Sequence, residues 1–316
     1  MRDFCKTIYR NIDLSIMNPN LKAYAALALV CFFWGTTYLV ARIGVAGFPA
    51  FMFMGIRNIT AGSLLLAFLF ISGNEKNWNW RDAGLQIVPG LCMITFGTGI
   101  VGWAVKYIPS SLAALICSLI PIFTIVLNLT MKKNEQVNWQ IMVGMLLGFS
   151  GVVLTFGDNL EFVHDKDGLK GILVALFSCI SWCFGGLYTQ TYKSNSSAFF
   201  NAGVQMLTGG IGLLTLSIFN EDWNHIPTMN NTSLVALIYL ICFGSILAFG
   251  AYLYAMSKLP AGLVSVYAYV NPLVAILLGF VILNEKLNWY TIVAFSVTMT
   301  GVFLVKSGYG LQQRKL

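Results

Sequence analysis

One cation stands inside an apolar run. Arg57 interrupts Ile43–Asn74, which carries no other charge. It sits about seven residues into a helix, roughly 10 Å deep by helix rise. A cation at such depth costs at least ~2.5 kcal/mol unless it is solvated or paired. Two readings follow. The guanidinium can grip a substrate carboxylate through two parallel hydrogen bonds, or it can pair with backbone carbonyls at a helix end or snorkel outward. Around it the apolar runs offer aromatic and amide groups: Trp34, Tyr38, Trp103, Trp182, Tyr254, Tyr267 and Asn271. Trp34 and Tyr38 are i,i+4 neighbours on one helix face. Buried tyrosine hydroxyls need partners, so part of this group is expected to line a wet cavity for aromatic or moderately apolar metabolites.

Other chemistries lack their residues. All 12 carboxylates fall in tails, loops or run edges, and neither His164 nor His225 is central in a run. A general acid or base inside the apolar runs is therefore missing, which argues against an intramembrane enzyme such as a lipid-processing transferase. It also argues against obligatory proton coupling, which commonly titrates a buried Asp, Glu or His. The seven cysteines have no metal or redox spacing and read as small packing residues; no metal or cofactor is expected. Gly97–Gly102 reads GTGIVG, yet no strand precedes it and no acidic residue follows at the required distance, so it is not a dinucleotide site.

The elements that must position these groups come from composition. Hydrophobic residues make up 57% of the 316 and charged residues 10%, against about 25% charged in a soluble domain. The apolar content is segmented into ten runs: 23–41, 43–74, 83–105, 107–131, 136–157, 171–192, 194–220, 226–257, 259–284 and 287–305. A helix of roughly 20 apolar residues crosses a ~30 Å hydrocarbon layer. Alternation of period two is missing, so a β-barrel is not expected. The reading is an all-α integral membrane protein with ten transmembrane helices. The net charge of +7 then reflects basic loops, not nucleic-acid binding. With both termini assigned to the cytoplasm, 13 of the 19 Lys and Arg lie on that side and 5 on the other, Arg57 being intramembrane. Residues 1–22 have scattered charges and no apolar core, unlike a cleavable signal peptide.

The chain repeats itself. Residues 134–139 read NEQVNW and residues 284–289 read NEKLNW, 150 apart. Pro109 and Pro121 are 12 apart, as are Pro260 and Pro272. Residues 50–62 and 198–210 share five of 13 positions, where composition gives roughly one. At the same offset of 148, Trp34 falls on Trp182 and Arg57 on Gln205. Each half holds five runs. An odd number makes the second half enter the membrane from the opposite face, so the expected architecture is two inverted five-helix repeats, a signature of secondary transporters.

These features resemble the drug/metabolite transporter superfamily and, within it, the ten-span EamA-type carriers. The resemblance rests on Trp34-Gly35 in the first span, Arg57 in the second, the proline-containing fourth and ninth spans and the Asn-Glu turns after them. It divides the chain into a cytoplasmic tail (1–21), a first repeat (22–157), a connecting loop (158–170), a second repeat (171–306) and a second cytoplasmic tail (307–316). It implies alternating access around a central cavity, with export or exchange of amino acids or related small metabolites across the inner membrane; sugars or drugs are the alternative cargo. Expected partners are the small-molecule substrate and membrane lipids.

Three structural expectations complete the reading. Pro121 and Pro272 should kink their helices near mid-span. Gln205, Arg57's repeat mate, keeps donors without charge, which leaves one charged recognition point. The small-residue faces Gly144/Gly148/Gly151 and Ala294/Thr298/Gly301 suit either close packing within the chain or a homodimer through the fifth and tenth helices.

Overall fold

Hydrocarbon offers amides no water, so a spanning chain without a barrel's alternation must satisfy its backbone within helices. The computed structural model describes residues 19–45, 48–73, 75, 78–104, 107, 113, 116–131, 137–156, 166–283 and 289–313. All their regular elements are helical. We number them α1 (Pro19–Gly44), α2 (Ala50–Ser72), α3 (the consecutive pieces Trp80–Leu85, Ile87–Gly90, Leu91–Gly99 and Ile100–Ala104), α4 (Ile120–Met131) and α5 (Trp139–Phe156). The second set is α6 (Lys166–Thr191), α7 (Ala198–Asn220), α8 (Asn231–Tyr239, Leu240–Leu247 and Ala248–Lys258), α9 (Ala261–Val264 and Tyr267–Leu283) and α10 (Trp289–Gln313). Among the described residues, α2, α6, α7, α8 and the Ile292–Leu311 part of α10 are long and apolar enough to cross a membrane. Shorter apolar helices cover Leu21–Thr37, Ile120–Met131, Trp139–Leu154 and Ala261–Val274.

Local sequence sets the ends. Asn79, Ser197 and Asn230 each accept a backbone N–H three residues on and cap α3, α7 and α8. Asn138, from the first NEQVNW, caps α5 by accepting the Ile141 N–H and also donates to the Gly308 carbonyl. The remainder of that motif at 134–136, and 284–288 of its echo, lie outside the described residues. Gly73 closes α2 in the left-handed conformation at φ 67°, which a side chain would strain.

Two helix pairs form the frame. In α2 and α7, a Cβ on Gly62 would stand 2.7 Å from the Gly203 carbonyl, and one on Gly55 3.3 Å from the Gly210 carbonyl. In α5 and α10, a Cβ on Gly144 would meet the Gly301 carbonyl at 2.7 Å, and one on Gly151 the Ala294 carbonyl at 2.8 Å. Rising numbers meet falling numbers, so both pairs are antiparallel. The small-residue faces of α5 and α10 thus meet each other; contact between two copies of the chain would have to use the other faces of these helices. Each end of the α2/α7 pair is closed by a carboxylate from the partner's exit. Glu221, after α7, accepts the Phe51 and Met52 N–H groups at 2.8 and 2.9 Å. Glu75, after α2, accepts the Ser197 N–H at 3.2 Å. Helix N-termini carry partial positive charge, and the carboxylates answer it.

The other helices pack across the halves. α1 lies against α8 and α9, while α6 lies against α3 and α4; α3 also touches α7, and α8 touches α2. Exchanging the first five elements for the last five converts each of these pairings into another of the set. Both α3 and α8 contain a wider π-helical stretch, Leu91–Gly99 and Leu240–Leu247. The glycines of GTGIVG fall partly in the first. A Cβ at Gly97 would meet the Trp182 ring at 3.2 Å, and one at Gly99 would run into Leu213, so these glycines serve close packing.

The two prolines behave differently. Pro272 stands inside α9, as expected for a kink. Pro121 stands one residue into a helix: a turn at Ser118–Leu119 interrupts the helical run, and the helix restarts at Ile120. In a first turn the missing proline N–H leaves no hydrogen bond unmade.

Candidate functional site

Trp34 and Trp182, the repeat mates, touch each other. Their rings meet edge to face with centroids 5.5 Å apart. Tyr267 packs on Trp34 at 4.8 Å, and Tyr252 bridges both indoles at 5.2 and 5.6 Å. Tyr252 and Tyr267 meet at 5.8 Å and a right angle. Edge-to-face pairs at such distances stabilise by about 0.5–1.5 kcal/mol beyond area burial. Four helices supply this cage: α1, α6, α8 and α9. Trp34's neighbour Gly35 allows the approach, because a Cβ there would run into Val274 of α9. Beside the cage lies a small cavity lined by Thr124, Cys183, Gly186, Met256 and Ser265 among others, with room for about one water molecule.

Arg57 adjoins the cage through one glycine. The Trp34 indole N–H donates to the Gly244 carbonyl at 3.1 Å. A Cβ on Gly244 would stand 2.8 Å from Arg57 Nη2, so the guanidinium lies directly on this glycine. Its Nε–H donates to Ser245 Oγ at 2.8 Å, and Nη1 approaches Met54 Sδ at 3.7 Å. Gly244 and Ser245 belong to the π-helical stretch of α8, a type of segment frequent at functional sites. No carboxylate stands within ion-pair distance of Arg57 among the described residues. The arrangement is a half-buried cation with donors left for an anion, next to packed aromatic rings.

The other expected residues are distributed. Gln205 is fully buried and donates to Gln86 Oε1 at 2.7 Å and Thr189 Oγ1 at 3.1 Å, while its own Oε1 has no partner. As α2 and α7 are antiparallel, it lies toward the opposite end of that pair from Arg57. Asn271, with its amide oriented to satisfy the network, donates to the Cys31 and Tyr267 carbonyls at 3.1 and 3.0 Å; it ties α1 to α9 at the cage. Trp103 is not brought to the cage. It meets Tyr107 edge to face, and the Lys170 ammonium sits over both rings at 5.1 and 4.7 Å. Tyr254 is two positions from Tyr252, about 200° around the helix, and so faces elsewhere. The side chain of Tyr38 lies outside the described residues. Tyr252 and Phe249 complete the cage (6.1 Å apart, with Phe249 6.3 Å from Trp182). Tyr252 could be singled out in the sequence only as one of several intramembrane tyrosines.

The class this defines is an all-helical, multi-pass membrane protein with an aromatic site beside a half-buried cation. The EamA-like transporter family pattern matches residues 21–157 and again 169–307. YedA of Escherichia coli K12, an inner membrane transporter by name, is 34% identical over 292 residues, 91% of this chain and 92% of its own. The transporter YvbV of Bacillus subtilis is 23% identical over 92% of this chain and 93% of its own. One solved crystal structure superposes with a TM-score of 0.76 at 18% identity, over 92% of this chain and 98% of that one; it shares the fold. The chain belongs to the EamA-like transporter family, and it is a transmembrane transporter, not an enzyme.

Proposed function

We propose that the protein moves small carboxylated metabolites, amino acids or their relatives, across the inner membrane by alternating access between two inverted five-helix repeats. The observation that carries this is the contact of Trp34 with Trp182, one residue from each repeat, at the point where the halves meet. The antiparallel α2/α7 and α5/α10 pairs support inversion, since each joins a helix to its own repeat mate. In this reading ten spans place both termini in the cytoplasm. Arg57 holds the carboxylate, the Trp34–Tyr267–Tyr252–Trp182 cage receives the remainder, and Ser245 keeps the guanidinium aimed. The rings are packed on each other here, so substrate enters only as they part. Glu75, Asp82 and Glu221 are spent on backbone N–H groups at helix ends, which favours exchange or uniport over proton coupling.

Counterflow in liposomes tests this. Trans-loaded substrate should accelerate uptake of the labelled compound at equal pH. Arg57→Ala should lower uptake of carboxylated compounds about tenfold, as expected for loss of a charged hydrogen-bonding partner. Arg57→Lys should rescue it only in part, because it has no planar fork. Uptake unaffected by either change would leave Arg57 a structural residue.

A further inference from the structure

At one end of the α2/α7 pair, the segment leading into α3 faces the turn between α6 and α7. An open groove between them is lined by Asn79, Arg81, Asp82, Leu85, Lys193 and Asn195. Asp82 belongs to the floor. It is 3% exposed, and its Oδ2 accepts the Asn195 and Ser196 N–H groups and the Ser196 hydroxyl. Arg81 and Lys193 are exposed, and neither has an acidic partner within ion-pair distance among the described residues. The groove therefore presents two unspent cations over a carboxylate already committed to the fold.

Aromatic residues neighbour the groove's lining residues in the chain. Trp78 and Trp80, beside Asn79 and Arg81 in the chain, meet edge to face at 5.2 Å, and Trp80 is 81% exposed. Tyr192, next to Lys193, packs tilted on Tyr188 at 4.4 Å and is 49% exposed. Exposed Trp and Tyr gather at the headgroup level of a bilayer. Trp80 and Arg81 are not needed to build the helix they start. Asn79 caps α3 by accepting the Asp82 N–H at 2.7 Å, and Asn230 caps α8 by accepting the Ser233 N–H at the same distance. After the second cap the two positions hold Asn231 and Thr232. The corresponding element of the other half is thus built without the indole and the guanidinium.

We propose that this groove binds an anionic phospholipid, with its phosphate held by Arg81 and Lys193 and its glycerol end against Trp80. Juxtamembrane basic residues at this depth attract such headgroups. The inference is independent of the transported substrate. The test uses the full chain purified in neutral detergent, with phosphatidylglycerol, phosphatidylcholine or inorganic phosphate added. Thermal unfolding should rise more with phosphatidylglycerol than with phosphatidylcholine, and native mass spectrometry should show preferential retention of the former. The Arg81→Gln/Lys193→Gln double variant should unfold as the parent does in phosphatidylcholine, yet retain phosphatidylglycerol about tenfold less. Equal stabilisation by both lipids, or full retention by the double variant, would overturn the proposal. Inorganic phosphate matching the lipid's effect would do the same, since the site would then be one for a free anion.

Discussion

Arg57 and Trp34 converge on a single glycine, and that contact explains how a cation survives at such depth. The Ser245 hydroxyl takes one N–H and Met54 sulfur a second. Removing that hydroxyl should be costly because it leaves a charged donor unmatched: Ser245→Ala should lower stability by about 1–3 kcal/mol, read from thermal unfolding, with Ser245→Thr closer to the parent. The two tryptophans offer a controlled comparison. Trp34 donates to the Gly244 carbonyl, whereas the Trp182 N–H makes no well-formed hydrogen bond. Both lose packing on conversion to Phe, so Trp34→Phe should be the more destabilising by about 0.6 kcal/mol, the mean for a hydrogen bond between membrane helices. Arg57 was legible as the one intramembrane cation. Its partner Ser245 was not, because a serine in an apolar run is unremarkable until a neighbouring helix brings a donor to it.

At the scale of elements, small residues decide which helices meet. A Cβ at Gly301 would stand 2.6 Å from the Gly144 carbonyl and closer still to Gly148 of the backbone. Backbone cannot give as a flexible side chain can. Gly301→Ala should therefore cost about 1–3 kcal/mol by forcing α5 from α10. Gly84 has nothing within 4 Å of its Cβ position, so Gly84→Ala should instead stabilise by about 0.5–1 kcal/mol through helix propensity. Thermal unfolding of the pair against the parent checks both. The carboxylate caps make a third case. Glu221→Ala strips acceptors from two N–H groups of α2 and should cost about 0.5–2 kcal/mol. The glycine faces were visible as helical spacing, but spacing is silent on whether a second copy or a second helix of the same chain fills them. Pro121 shows the same limit: a proline marks where a helix cannot continue unbroken, while the position of the break depends on where the next turn finds its partners.

For the whole molecule, the exchange of halves is the organising fact, and it gives a test of topology. If α3 and α8 are inverted mates, their first turns lie on opposite sides of the bilayer. Single-cysteine variants at Arg81 and Thr232, labelled in intact cells with a membrane-impermeant maleimide, should react at 232 and become reactive at 81 only after permeabilisation. Labelling of both from one side would refute the inverted arrangement.

Composition and segmentation determined that this chain is a helical membrane protein, because amides in hydrocarbon are satisfied only in helices or closed barrels and the period-two alternation of a barrel is missing. Repeated Trp, Pro and Asn-Glu positions determined that it has two related halves, since generic apolar sequence converges on Leu and Val but not on those. Only the tertiary structure decided that Trp34, Trp182, Tyr252 and Tyr267 form one cage, that Trp103 and Tyr254 stand apart from it, and that Gln205 lies toward the other end of its helix pair from Arg57. The reason is physical. In a soluble helix, polarity marks the face that meets water and so the face that meets the core. In a bilayer both faces are apolar, and the residues that meet across the two halves are chosen by packing and by hydrogen bonds that no single helix contains.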